Sequence, residues 1–188
     1  MYTVNTDYRL RKTENLLNDK TTLPNVGFAH MPNFFLSNRE VIGIDLEMAE
    51  KPDHYTEIFT GTLQQFGELN RDSVDAISAG EILEHIENPG SFLRECHNFL
   101  SSGGKLFLSA PNSNSPFERL LTLELFRKYF YTQDHLFYVP QRWLTKVLDY
   151  GEFSNLHVEF GGAQLSFLRL VAFPRLRCHQ TIAVAYKK

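Results

Sequence analysis

SVDAISAGEILEHIENPGSFLRECHNFLSSGGKLFLSAPN, residues 73–112, is the stretch whose reading decides the fold. Val74 to Ser78 is a short, nearly unbroken apolar run, the pattern of a strand covered on both faces in a parallel sheet. Asn88-Pro89 then offers an N-cap side chain followed by proline at the first helical position, where the missing N–H is no loss. Phe92, Leu93, Cys96, Phe99 and Leu100 recur at i, i+1, i+4, i+7 and i+8, one apolar stripe along a helix. Gly103-Gly104 reads as the stop of that helix, and Leu106-Phe107-Leu108 as the next buried strand. Strand, loop, helix, turn and strand make a βαβ unit.

These residues carry a resemblance. The run VDAI-SAGEILEH-IENP … LRECHNFLSSGGKLFLSAPN resembles the middle of the class I S-adenosylmethionine-dependent methyltransferases, the Rossmann-like small-molecule type. In that family an LEH turn after a strand precedes a helix and then L-x-x-GG-x-L-x-x-x-x-PN. The resemblance is close over about residues 23–112 and topological beyond them. It implies an α/β fold: a mostly parallel seven-stranded sheet, a C-terminal antiparallel hairpin and helices on both faces. It also implies S-adenosylmethionine as cofactor, with S-adenosylhomocysteine as product. Residues 1–188 would be one domain, with 1–22 an N-terminal helix or arm and 113–140 an aromatic lid or acceptor-pocket insert.

Composition sets the outer bounds. A chain of 188 residues can bury a core as one domain, and 43% hydrophobic with 22% charged residues is ordinary for a globular protein. The 16 phenylalanines suggest a roomy apolar cleft. A net charge of −3 leaves no basic footprint for nucleic acid, and Arg169, Arg175 and Arg177 are too sparse to make one. Cys96 and Cys178 form no CxxC and lack His-rich partner spacing, so two reduced thiols and no metal site are expected. The first residues lack an apolar signal core, and no apolar run approaches the ~20 residues needed to cross a bilayer. The expectation is a cytoplasmic monomer or homodimer with a small-molecule partner and no membrane or nucleic-acid partner.

Tyr8 to Leu17 reads as one short helix with Leu10, Leu16 and Leu17 as its apolar contacts, or else as a frayed terminus. Leu23 to His30 should hold the first strand and its turn. By the resemblance an acid and a Gly-x-Gly-x-Gly loop belong here; this chain has Asn25, keeps Gly27, and places Ala29 and His30 where further glycines would be. The loop is therefore either modified and working or degenerate, with Phe28 alongside it. Eighteen positions after Gly27 comes Asp45, closing the strand Glu40–Leu46. That is close to the ~20 separating a Rossmann glycine loop from its ribose-binding acid. A carboxylate there can accept from both ribose hydroxyls, with Leu46 beside it; Glu47 is a second candidate. The linker containing Pro32 has room for one or two helical turns only, which weakens the positive N-terminal field a full helix would offer.

Glu57 to Gly61 reads as a third strand. By the resemblance Thr62 stands where an acid often accepts from the adenine amino group, and Leu63 could pack on the ring; an ordinary strand-to-loop turn is the alternative. Ser78-Ala79-Gly80-Glu81 closes the fourth strand at the switch point where open α/β sheets bind ligands, and Ala79 and Gly80 permit close approach. His85 is a candidate general base, or a structural histidine tying down the turn. Ser115, Pro116 and Glu118 form a capping box opening a helix to Tyr129, and from Phe117 to Tyr138, ends included, there are seven aromatics. His135, next to Asp134, is the second catalytic candidate. Pro140 to Gly151 is an amphipathic helix, Phe153–Phe160 a strand, Leu165–Phe173 a mixed apolar segment, and Gln180–Tyr186 a final strand.

The leading functional expectation is a methyltransferase acting on a small molecule, through a hydroxyl. No Asn-Pro-Pro-aromatic tetrad stands at Ser78–Glu81, which argues against amide or exocyclic base nitrogens. The alternative is a non-catalytic binding or regulatory relative with a degenerate loop; a nicotinamide oxidoreductase is a distant third. Phe28, His30 and Met31 are the side chains best placed to plug the cofactor cleft.

Overall fold

The computed structural model describes residues 4–17, 22–69, 74–115, 135–161 and 180–188. Helix α1 (Val4–Leu16) leads into β1 (Thr22–Val26), followed by β2 (Glu40–Asp45), β3 (Glu57–Thr60) and α2 (Leu63–Leu69). Then come β4 (Val74–Gly80), α3 (Pro89–Phe99), β5 (Leu100–Pro111), α4 (Gln141–Tyr150), β6 (Phe153–Gly161) and β7 (Gln180–Lys187). The seven strands lie in the order β3-β2-β1-β4-β5-β7-β6. β1 to β5 run parallel, and β7 is antiparallel to both β5 and β6. This is the expected sheet with its C-terminal hairpin.

The sheet is apolar on both faces because both are covered. Ile77, Ala79, Leu106, Leu108, Ala183 and Ala185 pack with α2, α3 and α4 through Phe66, Phe92, Leu93, Cys96, Phe99, Leu144 and Leu148. The alternate residues Ala76, Phe107, Ile182 and Val184 face a second cluster with Leu17, Leu23, Phe28, Leu36, Val41 and Tyr55. The period of two within an unbroken apolar run is what a doubly covered strand requires. Cys96 is fully buried, and burial pushes its thiol well above the ordinary range. In α3, Asn88 Oδ1 accepts from Ser91 N at 3.0 Å, the N-cap the Asn-Pro pair announced.

Two readings change. The Gly103-Gly104 pair does not stop α3: the helix ends at Phe99, Leu100 is already extended, and β5 runs through the glycines. The pair serves a bulge, since the register against β4 jumps from Val74↔Leu100 to Ala76↔Lys105. Gly103 has φ +72°, and a Cβ on Gly104 would sit 2.8 Å from Ser101 O. The helix read over Pro140–Gly151 starts at Gln141, with Pro140 as its N-cap rather than its first residue. The β1–β2 crossover has a single 3₁₀ turn, Phe34–Leu36, as the short linker predicted. Buried Asn33 anchors it, donating to Leu10 O at 3.1 Å and to Tyr55 Oη at 3.0 Å. The capping box at 115–118, the helix to Tyr129 and the segment 165–173 fall, except for Ser115, outside the described residues.

Candidate functional site

Register alone gathers one end of the sheet. Val26 pairs with Ile44 on one side and Ala79 on the other, so Gly27, Asp45 and Gly80 follow at neighbouring strand tips. The strand order reverses there, β1 leading outward to β2 and β3 and β4 leading to β5, which makes these carboxyl ends the switch point where open α/β sheets form a ligand crevice. Gly27 turns at φ +74° while its N–H donates to Ile44 O at 2.8 Å, and a Cβ there would meet Ile82 Cδ1 at 2.6 Å. Half-buried Asp45 accepts from Ala29 N at 2.9 Å through Oδ2 and from Glu47 N at 3.1 Å through Oδ1. The carboxylate therefore fastens the β1 loop to β2 and keeps lone pairs for a ligand.

The three side chains best placed to plug the crevice are otherwise engaged. Phe28 is 2% exposed in the second core cluster, where its ring fills the space a Cβ on Gly43 would need and lies 5.4 Å from Tyr55. Exposed His30 pairs with Glu47 at 3.1 Å. Met31 Sδ accepts from Arg9 Nη2 at 2.9 Å. The group that does reach the strand tips is Arg9 itself. Only 6% exposed, it stands where a Cβ on Gly80 would overlap its Nη1, and its Nε has no acceptor among the described residues.

The remaining expected residues divide. Asn25 is buried and donates from Nδ2 to Tyr55 Oη at 2.5 Å, so its side chain wires β1 to the β2–β3 loop. Leu46 is 73% exposed beside Met48, leaving an apolar rim next to Asp45. Thr62 N-caps α2: its Oγ1 accepts from Gln65 N at 3.1 Å and its N–H donates to Gln65 Oε1 at 2.8 Å. Leu63, read as a ring-packing residue, lies in the core at 3% exposure, because the first turn of α2 faces the sheet. Ala79 is fully buried. Glu81 takes a left-handed turn at φ +58°, with Ser109 Oγ donating to its Oε1 at 2.9 Å.

The two candidate catalytic histidines, 50 positions apart in sequence, come together: the His85 and His135 rings are 4.6 Å apart and nearly perpendicular. Leu136 N and Phe137 N donate to Glu84 O at 2.7 and 3.3 Å, which ties the 135–140 segment to the Leu83–His85 turn. Glu84 is 1% exposed, and neither carboxylate oxygen has a hydrogen-bond partner among the described residues. Burial, aided by the Glu81 carboxylate, pushes its pKa up to about 9 against the opposing pull of its own nearby backbone N–H and of Arg9. The ligating atoms of Glu84, His85 and His135 all lie within 4.8 Å of one another. Sequence reasoning missed Arg9 altogether, and nothing local to α1 marks it. It also expected no metal-ligating group, although the adjacent Glu84-His85 pair was a visible signal.

A family model described as a methyltransferase domain matches residues 28–158. Among curated proteins, a ubiquinone biosynthesis O-methyltransferase of Pseudomonas paraeruginosa is 38% identical over 53 residues, which are 28% of this chain and 23% of that protein. The enzyme of the same name from Dechloromonas aromatica is 35% identical over 69 residues, 37% of this chain and 28% of its own length. The chain thus spans about a quarter of the length of the curated relatives it matches. Among solved structures, a SAM-dependent methyltransferase from Archaeoglobus fulgidus superposes with a TM-score of 0.78 at 15% identity, covering 95% of this chain and 91% of its own. A 1,6-didemethyltoxoflavin-N1-methyltransferase of Burkholderia thailandensis, solved with S-adenosylhomocysteine, gives 0.67 at 13% identity over 98% of this chain and 79% of its own. At those identities the likeness is one of fold.

Proposed function

The chain belongs to the methyltransferase-domain family, with the class I Rossmann-like sheet, and from that premise we propose that it transfers the methyl group of S-adenosylmethionine to a hydroxyl of a small-molecule acceptor. The observation that carries this is the convergence of Gly27, Asp45, Ala79 and Gly80 at the strand tips. The residues fit the cofactor. A left-handed Gly27 and small Ala79 and Gly80 admit close approach, and Asp45 keeps acceptor capacity for ribose hydroxyls. Leu46 and Met48 offer apolar surface for the base. The crossover contains no α-helix to direct an N-terminal field at the methionine carboxylate, and Arg9 supplies the missing positive charge at Gly80. Its buried Nε, without an acceptor among the described residues, can donate to an anion.

When bound, S-adenosylmethionine supplies an electrophilic methyl on sulfonium sulfur. The protein's part is then orientation and water exclusion, with help in removing the acceptor's proton. His85 and His135, beside the β4 tip, are the groups placed for that help. The hydroxyl preference draws support from the O-methyltransferase names of the curated relatives, over the matched stretch. Isothermal titration with S-adenosylmethionine and S-adenosylhomocysteine tests the reading, and micromolar binding is the expected result. No heat at millimolar ligand would favour the non-catalytic alternative, in which Arg9 closes a crevice that takes no cofactor.

A further inference from the structure

We propose that Glu84, His85 and His135 form a binding site for one zinc-like divalent cation at the carboxyl end of β4. Two imidazoles and a carboxylate already bring their ligating atoms within 4.8 Å of one another. An ion with bonds of about 2.0–2.2 Å would draw three such atoms to about 3–3.5 Å apart, a small adjustment for the exposed His85 side chain.

Glu84 is the independent sign. A carboxylate 1% exposed, with neither oxygen hydrogen-bonded among the described residues, is unfavourable unless a proton or a cation neutralises it. Two imidazoles beside it select the cation. The backbone is built to hold the pieces together: the Leu136 and Phe137 N–H groups bond to Glu84 O, so His135 is delivered to the turn that carries His85. Ser109 meanwhile restrains Glu81, leaving that carboxylate as a close neighbour. Nitrogen donors speak against magnesium and calcium, which take oxygen shells, and for zinc and its borderline relatives.

Three protein ligands leave a four-coordinate ion one open position. Here that position would take an acceptor hydroxyl oxygen and ease release of its proton to solvent. That purpose rests on the methyltransferase reading; the binding itself does not.

The test uses tag-free chain stripped with chelator, titrated with Zn²⁺ by calorimetry and with Co²⁺ by visible absorption, without cofactor. One ion should bind per chain, with a Co²⁺ spectrum of a nitrogen–oxygen site. His85→Asn and His135→Asn should each weaken binding by about 100-fold. Glu84→Gln should do likewise, and the histidine variants keep the test decisive if that buried change impairs folding. His157→Gln, in a separate surface pair with Glu159, should change nothing. The proposal is overturned if the parent shows no saturable binding at one equivalent. It also fails if the two histidine variants bind as the parent does, or if His157→Gln abolishes binding. Zn²⁺ binding without S-adenosylhomocysteine binding would sink the transferase reading and leave the ion site standing; the reverse would sink the ion site alone.

Discussion

Replacing Asp45 should separate cofactor affinity from fold stability. Its carboxylate offers about four lone-pair directions, and two are taken by Ala29 N and Glu47 N. The rest are free for two ribose hydroxyls, each charge-assisted bond contributing about 1.5–3 kcal/mol. Asp45→Ala removes both, so S-adenosylhomocysteine should bind weaker by about 3–6 kcal/mol, or roughly 10²–10⁴-fold in Kd. Asp45→Asn keeps one oxygen and should lose about 10–100-fold. The apo protein loses only two loop hydrogen bonds, near solvent, at about 1 kcal/mol each. For a chain of this size that lowers Tm by about 4–8 °C. Titration calorimetry reads the first effect and scanning calorimetry the second. Glu47→Gln, changing a carboxylate already paired with His30, should leave affinity nearly unchanged. The reasoning fails if Asp45→Ala binds within threefold of the parent, or if Glu47→Gln suffers the larger loss.

Gly80→Ala places a methyl on Arg9 Nη1, so it and Arg9→Ala should each weaken cofactor binding by roughly tenfold, and the pair should not be additive; independent losses in calorimetric titration would refute a shared contact. With EDTA present, burial holds Glu84 protonated to about pH 9 while the unfolded chain releases that proton near its ordinary 4.5. Stability from this group is thus greatest below about 4.5 and falls as pH rises toward 9, by at most about 1.4 kcal/mol per unit. Glu84→Gln should gain on the parent across that window in urea melts, and parallel pH curves would contradict it. Thr62→Ala removes the N-cap of α2 and should cost about 1 kcal/mol, or about 2–4 °C in Tm, without abolishing cofactor binding; an unshifted melting curve would deny the cap.

The sheet was legible because its signals are local. An apolar run such as Val74–Ser78, an Asn88-Pro89 cap and a linker too short for a helix each state their geometry within a few residues. Gly103-Gly104 misled because glycine marks a helix stop and a bulge alike, and only the pairing partner distinguishes them. Asp45 could be found by spacing from Gly27, yet its grip on Ala29 N could not. Thr62 fills a capping role that the sequence reading passed over, although its Thr-x-x-Gln spacing is a local signal for one. Arg9 over Gly80 and His135 against His85 are long-range meetings, set by how α1 and the 135–140 segment dock. No periodicity encodes them.

Amide chemical shifts of the labelled chain during titration with S-adenosylhomocysteine test most directly whether the strand-tip crevice holds the cofactor. Gly27, Ala29, Asp45, Leu46, Ala79 and Gly80 should shift together and saturate at one equivalent, with the Arg9 guanidinium following. A spectrum unmoved at millimolar ligand, or shifts gathered away from the tips of β1, β2 and β4, would contradict the account.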